Sequence, residues 1–281
     1  MRIATRGSPL ARWQAEAVAA RLAARGVEAE LVVVDTRGDV DKTTPIWQLA
    51  GRGVFVKEVQ AAVLDGRADI AVHSAKDMMS APTEGLTLLG CLPRGDVRDA
   101  LVGARFDDLA PGATVATGSV RRRAQLAHLR PDIRFVGLRG NMAKRVAAAE
   151  RPDIDAVVVA AVALERLGLV EKIDEVLAEH QVVPQVGQGA VALEGRSNDQ
   201  SVAGAVAEIV DSDTNRCVDA ERAFLAELGS GCDLPVGAHA VIDVEDQMGI
   251  SLTAVLAKFV LMALVIVVVL LLLMGMLGAL G

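Results

Sequence analysis

Short apolar runs that end in a polar turn and pass at once into a helical pattern recur along this chain. That recurrence limits its fold more than any other feature. Arg2–Thr5 is the first such run; Ser8 follows as a helix N-cap and Pro9 as the first helical residue. Leu10, Trp13, Ala17 and Ala20 then repeat at helical spacing to about Ala24. Glu30–Asp35 holds the apolar stretch Leu31–Val34, suited to a buried strand; Val54–Leu64 reads as helix, and Asp69–His73 as a strand with Ile70 and Val72 alternating. The order strand, helix, strand, helix predicts an α/β fold with a largely parallel sheet. A second unit begins near Arg94 and repeats the scheme: Thr114–Thr117 then a helix from Val120, Ile133–Val136 then a helix from Met142, and Asp155–Val162 as a strand before Leu164–Gly168. Gly187-Gln188-Gly189-Ala190 breaks the pattern and is expected to return the chain to the first unit. The domains are therefore expected at 1–93, completed by about 187–208, at 94–186 and at 211–258, the last with a helix through Ala220–Ala226.

Composition removes several function classes. Aromatic residues make up 2% of the 281 residues, with no Tyr, and the net charge is −7. Stacking platforms for single strands and a general basic surface for nucleic acid are both missing. Clustered arginines on an acidic protein suit a small anionic ligand instead. Cys91, Cys217 and Cys232 are odd in number and far apart, which predicts neither a disulfide framework nor a zinc site, and no metal is expected. The four histidines are scattered and read as ordinary structural residues. The first residues lack the apolar core of a signal peptide, so a cytoplasmic location is expected. Phe259–Gly281 carries no charge over 23 residues, long enough to cross a bilayer as a helix. A membrane anchor, an aberrant terminus and a core helix are the three readings of that tail.

The turns carry the chemistry. Thr117-Gly118-Ser119-Val120-Arg121-Arg122 stands where a strand becomes a helix, and helix N-termini offer free N–H groups and partial positive charge to anions. Arg121 and Arg122 add donors matched to carboxylates, whereas Arg123 reads as a solvated helix face. Arg139 before Gly140-Asn141, and Arg6 with Ser8, occupy equivalent turns. Open α/β sheets bind ligands at the carboxyl ends of their strands, so these turns predict a carboxylate-holding cleft between two units. His73-Ser74-Ala75-Lys76-Asp77 ends another strand with a cation and an acid able to move a proton. Cys232 lies in a glycine-flanked loop that presents its thiol for modification, whereas Cys91 and Cys217 read as small buried hydrophobes.

These segments resemble the porphobilinogen deaminase (hydroxymethylbilane synthase) family, in its order, over about residues 1–242. The matching pieces include Arg2–Leu10, Thr36–Asp39, Phe55–Glu58, Ala68–Asp77, Arg98–Ala100, Gly118–Arg122, Leu138–Asn141, Gly187–Ala190 and Gly231-Cys232. The resemblance implies two domains like a type 2 periplasmic binding protein and a small α+β third domain. It implies a dipyrromethane cofactor, thioether-linked to Cys232, and the head-to-tail condensation of four porphobilinogen molecules with loss of ammonia. Asp77 would be the catalytic acid. Ser74, Lys76, Thr117, Ser119, Arg121, Arg122, Arg139 and Gln188 would hold the cofactor, and Arg6, Ser8, Arg145 and Arg166 the substrate. A monomer is implied.

The chain also departs from the family's pattern. Met78-Met79 replaces the usual Leu-Pro or Val-Pro, which is expected to loosen the turn that aims Asp77. Gln48 stands where some members have Lys, with Arg52 nearby. After Val241–Asp243 a stretch of the family's third domain is missing; Glu245–Leu252 resembles the start of its last helix, and the apolar tail follows. A truncated third domain leaves a second function open, a non-catalytic, membrane-tethered binder of small carboxylated ligands.

Overall fold

The computed structural model describes residues 1–36, 53, 55–79, 81–228, 235–242, 250–257 and 263–268. Cys232, Gln48, Arg52, Glu245–Gly249 and the tail beyond 268 lie outside the described residues. The first sheet runs β2-β1-β3-β10-β4, with β1 Arg2–Arg6, β2 Glu30–Val34, β3 Ile70–Ser74, β4 Leu86–Cys91 and β10 Val191–Arg196. The second runs β7-β6-β8-β5-β9, with β5 Asp99–Val102, β6 Thr114–Ala116, β7 Arg134–Val136, β8 Ala156–Ala160 and β9 Glu175–Val176. In both, three parallel strands meet one antiparallel strand that the other unit delivers. β10 lies antiparallel to β3 and β4, and β5 antiparallel to β8 and β9. Both sheets have one strand order, consistent with the two periplasmic-binding-protein-like units that the resemblance implies, but they are mixed rather than largely parallel. A strand that enters from the neighbouring unit arrives without a crossover helix of its own, so nothing obliges it to run parallel.

Each sheet buries both faces, which is why its strands read as near-continuous apolar runs. α1 (Pro9–Ala23) lays Ala15, Val18 and Leu22 against Ile3, Ile70, Val72 and Leu193. α2 (Lys57–Leu64) lays Val59, Ala62 and Val63 against Ala4 and Ala71 on the other face. In the second unit α3 (Val120–Leu129) buries Leu126 with Leu101, Val115 and Val158. α4 (Met142–Ala147) and α5 (Ala161–Arg166) bring Val146 and Leu164 to the opposite face, on Ala116, Val157 and Val159.

Two crossovers join the units and touch backbone to backbone. Gly95 donates its N–H to the Gly189 carbonyl at 3.2 Å. Gly189 has φ +88°, and a Cβ there would stand 2.5 Å from the Gly95 oxygen, so only glycine fits. After α6 (Gln200–Ala207), the third unit fastens this junction through α7 (Ser212–Glu227). The fully buried Glu221 of α7 receives Arg94 Nη1 and Nη2 at 2.8 and 3.0 Å, the Gly187 N–H at 2.7 Å and the Ala240 N–H at 2.9 Å. One carboxylate thus ties both crossovers to the third unit.

That unit packs α7 on a three-stranded antiparallel sheet, β11 Val236–Ile242, β12 Ile250–Ala257 and β13 Ala263–Val268. Two expectations are corrected here. Ile250–Leu252, expected at a helix start, opens β12. The expected hydrophobic helix over Phe259–Gly281 is, at Ala263–Val268, a strand in register from Leu252↔Val268 to Ala257↔Ala263. Ala-Leu-Val-Ile-Val-Val is rich in β-branched residues, and β12 offers it an edge whose ladder satisfies the backbone. Among the described residues no helix is long and apolar enough to cross a membrane.

Candidate active site

Six charged residues converge at the carboxyl ends of the two sheets. From the first unit come Arg6 at the end of β1, and Lys76 and Asp77 on the 3₁₀ turn Ala75–Asp77 that follows β3. From the second come Arg122 in the first turn of α3, Arg139 at the turn before α4, and Arg145 within α4. They lie within each other's fields. Lys76 feels Arg122, Asp77, Asp99 and Arg121; Arg145 feels Arg122, Asp77, Arg139 and Arg6. Asp77 is thus the negative group that both cations share.

Local structure explains how each is aimed. The Ala75–Asp77 turn closes through Met78 N–H to the Ala75 carbonyl at 3.1 Å. Met78 is 5% exposed and packs with Ala75, Cys91, Ala190 and Val218. Met78, the first of the Met78-Met79 pair expected to loosen the turn, thus packs its flexible thioether among these residues. Ser8 and Ser119 cap α1 and α3, accepting from Ala11 N at 3.3 Å and from Arg122 N at 3.4 Å. Asn141 caps α4 in the same way, from Lys144 N at 3.0 Å. Thr117, buried, accepts the Ser119 N–H at 3.2 Å and so shapes the turn ahead of α3.

Burial divides the cations into two kinds. Arg121 and Arg122 are nearly inaccessible and fork onto one carboxylate: Arg121 Nη2 reaches Asp99 Oδ2 and Arg122 Nη2 reaches Asp99 Oδ1, both at 2.7 Å. Their other ends donate to the carbonyls of Val183 at 2.6 Å and Val158 at 3.2 Å. The Nε of each guanidinium is buried with no hydrogen-bond partner. Burial pushes Arg121 down; for Asp99 burial presses upward, yet Arg121 and Arg122 hold it well below the ordinary carboxylate range. Asp99 lies within the matching piece Arg98–Ala100, but the sequence assigns it no role.

Lys76 and its neighbours are half-buried. Its enclosed ammonium donates to Gln188 Oε1 at 3.2 Å, and burial pushes it down to about 8 from 10.5, helped by Arg122 and Arg121 and opposed by Asp77 and Asp99. Arg145 donates Nε to the Gly140 carbonyl at 2.9 Å and is pushed down to about 10 by burial, then by Arg122. Arg6 lies 4.2 Å over the Phe55 ring. Arg166, pushed down to about 10 by burial, donates to the Gly189 carbonyl at 2.6 Å and lies 5.1 Å over Trp13. Ser74 pairs with Gln14, whose Nε2 lies 2.9 Å from the serine oxygen. Ser74, Lys76 and Arg166 line one cleft between α1 and α5, together with Gln14, Val162 and Gly189. Trp13 is visible in the sequence as a helix-face residue and Phe55 as part of a matching piece, but their support of Arg166 and Arg6, and that of Gln14 for Ser74, is not, because they carry no charge.

The arrangement can hold several carboxylates beside one aspartate, in a place walled by apolar side chains. Comparison with known proteins gives the same direction. A family model described as porphobilinogen deaminase, dipyromethane cofactor binding domain, matches residues 1–204, and one described as porphobilinogen deaminase, C-terminal domain, matches residues 215–259. Similar proteins named porphobilinogen deaminase include that of Syntrophus aciditrophicus, 43% identical over 245 residues covering 85% of this chain and 80% of that one. Those of Syntrophotalea carbinolica and Pelobacter propionicus are each 44% identical, over 247 and 246 residues; both alignments cover 86% of this chain, and 78% and 79% of theirs.

Proposed function

The chain belongs to the porphobilinogen deaminase family, and on that premise we propose how its residues divide the reaction. The activity is that of a transferase of the hydroxymethylbilane synthase type: four porphobilinogen molecules are condensed head to tail, ammonia is released, and the product enters tetrapyrrole biosynthesis. The cofactor is dipyrromethane. It supplies the pyrrole carbon on which the growing chain is built. The residues present fit such a carboxylated group, since the buried Nε donors of Arg121 and Arg122 are left without partners. Cys232 is assigned the thioether, and Ser74, Lys76, Thr117, Ser119, Arg121, Arg122, Arg139 and Gln188 the surroundings of the cofactor. Thr117 and Ser119 act through the turn they shape.

Porphobilinogen brings two carboxylates and an aminomethyl group. Arg6, Ser8, Arg145 and Arg166 are assigned to its carboxylates and to the turns that orient them. Asp77 is assigned the catalysis. When the amino group leaves as ammonia, its methylene stays on the pyrrole and the two become cationic together; the Asp77 carboxylate would stabilise that charge and take the proton that the ring bonding to the methylene gives up. The single observation that carries this assignment is the position of Asp77, one negative group within the field of Lys76 and Arg145. A mere binder of carboxylates has no use for an acid at the centre of its cations. Buried, unpaired Cys91 and Cys217 suit a reducing compartment, and we place the enzyme in the cytoplasm. The test is porphobilinogen consumption by Asp77→Ala and Asp77→Asn: both lose turnover while remaining folded by circular dichroism. Normal turnover in either removes Asp77 from the mechanism.

A further inference from the structure

Asp99 is the buried carboxylate that the division of labour above leaves without a task. It sits at the start of β5, the strand that the first unit passes into the second sheet, with no exposed surface. Three side chains converge on it: Arg121 Nη2 at 2.7 Å, Arg122 Nη2 at 2.7 Å and Gln188 Nε2 at 2.8 Å. Gln188, itself wholly buried, lies on the second crossover and also donates to the Val97 carbonyl at 2.7 Å on the first. Its oxygen faces the other way and accepts from Lys76 Nζ at 3.2 Å. The chain of contacts therefore runs from α3 of the second unit, through Asp99 and Gln188, to the catalytic turn of the first.

We propose that Asp99 is a positioning residue for the reaction, orienting Arg121 and Arg122 directly and Lys76 through Gln188, so that cations from both units address one carboxylated ligand as a fixed set. The proposal rests on the reading that this cleft holds the cofactor and the growing chain. A glutamine is suited to the link. Its amide donates to a carboxylate at one end and accepts from an ammonium at the other, and a reversed amide would face both partners with the wrong group. A purely structural Asp99 needs only the two arginines. It has no reason to be relayed, by a wholly buried side chain, to a lysine of the opposite unit. The charge count also favours the proposal. Two guanidiniums share one carboxylate, so the cluster keeps a surplus positive charge that is held in place rather than cancelled.

Lys76 reports on the link, because Arg121 and Arg122 press its proton off while Asp77 and Asp99 hold it on. The experiment is competitive amine labelling across pH, read by peptide mass spectrometry, on full-length protein carrying Cys232→Ser, which cannot form the thioether. Exposed Lys172 in the same sample is the reference. Asp99→Asn leaves two buried guanidiniums without a counter-charge and endangers the fold, so the deciding variant is Gln188→Met, which keeps the Arg–Asp99 fork. The expected result is a Lys76 midpoint lower by roughly half a pH unit or more in Gln188→Met, since a hydrogen bond to the charged form is lost, with Lys172 unmoved. In Asp99→Asn protein that retains its fold, the shift is larger and in the same direction. A Lys76 midpoint equal to the parent's in Gln188→Met overturns the proposal. Because no turnover is measured, this failure is distinct from failure of the catalytic reading, which shows as inactivity of the unmodified enzyme with the link intact.

Discussion

The two sheet units share a strand order and place their chemistry at the same sheet ends, yet they treat charge in opposite ways. In the second unit Arg121 and Arg122 are buried, and each binds Asp99 and a carbonyl. They form a fixed field, organised before any ligand arrives. In the first unit Lys76 and Asp77 stand on a single 3₁₀ turn, half-buried, with Lys76 pushed into the range where protons exchange near neutrality. One topology thus supports two tasks, a rigid electrostatic frame and a site able to change its protonation. A reaction that repeats four times on a lengthening anion needs both, since the frame must hold successive carboxylates while one acid acts on each arriving unit.

The sharpest way to break this contrast is at Asp77. Asp77→Ala is expected to lower turnover by about 10²–10⁴-fold with little effect on thermal stability, as measured by product formation and calorimetry. A comparable loss of stability would make the first unit's acid as structural as the second unit's ion pairs. Next in size is the clamp that holds the units together. Glu221→Leu leaves Arg94 facing an empty partner and unties Gly187 and Ala240. A cost of about 3–5 kcal/mol in denaturant unfolding is expected; a cost under about 1 kcal/mol would show that the third unit does not fasten the crossovers.

The pH dependence sharpens the contrast further. Lys76 loses its proton near 8 in the folded chain and near 10.5 unfolded. Between those values the unfolded chain binds more protons, so this group's contribution to stability rises with pH. Carboxylate binding moves the other way and is expected to weaken by roughly tenfold between pH 7 and pH 9. Lys76→Met should flatten that decline, which titration calorimetry of Cys232→Ser protein with a carboxylated dipyrromethane would detect. The smallest effects are expected at the two serine caps. Ser8→Ala and Ser119→Ala should each cost about 1 kcal/mol, and a much larger loss of ligand affinity in Ser119→Ala would show that the cap also contacts the ligand.

Much of this was legible in the chain itself. Ser8 and Pro9 announce α1 because cap and first-turn chemistry are local, and β1, β2, β3 and β6 fall within a residue or two of the expected runs. Gly187–Ala190 was expected to return the chain to the first unit, and β10 does enter the first sheet. The misses share one cause. β4, β5 and β10 take their direction and place from the other unit, information that no local window holds. Arg121 and Arg122 are visible as a carboxylate-binding pair, but Asp99, 22 residues from Arg121, becomes their partner only once β5 is laid beside β8. The apolar tail shows the same limit. Ala263–Val268 fits helix or strand by composition, and the free edge of β12 decides for strand.

The central claim is that this chain builds its cation frame and its reactive turn around a covalently held dipyrromethane. Intact mass spectrometry of the purified full-length protein, beside Cys232→Ser, tests it most directly. The account predicts a dipyrrole-sized excess in the parent and none in the variant, with further increments on brief exposure to porphobilinogen. A bare polypeptide mass in the parent, unchanged after that exposure, would contradict it.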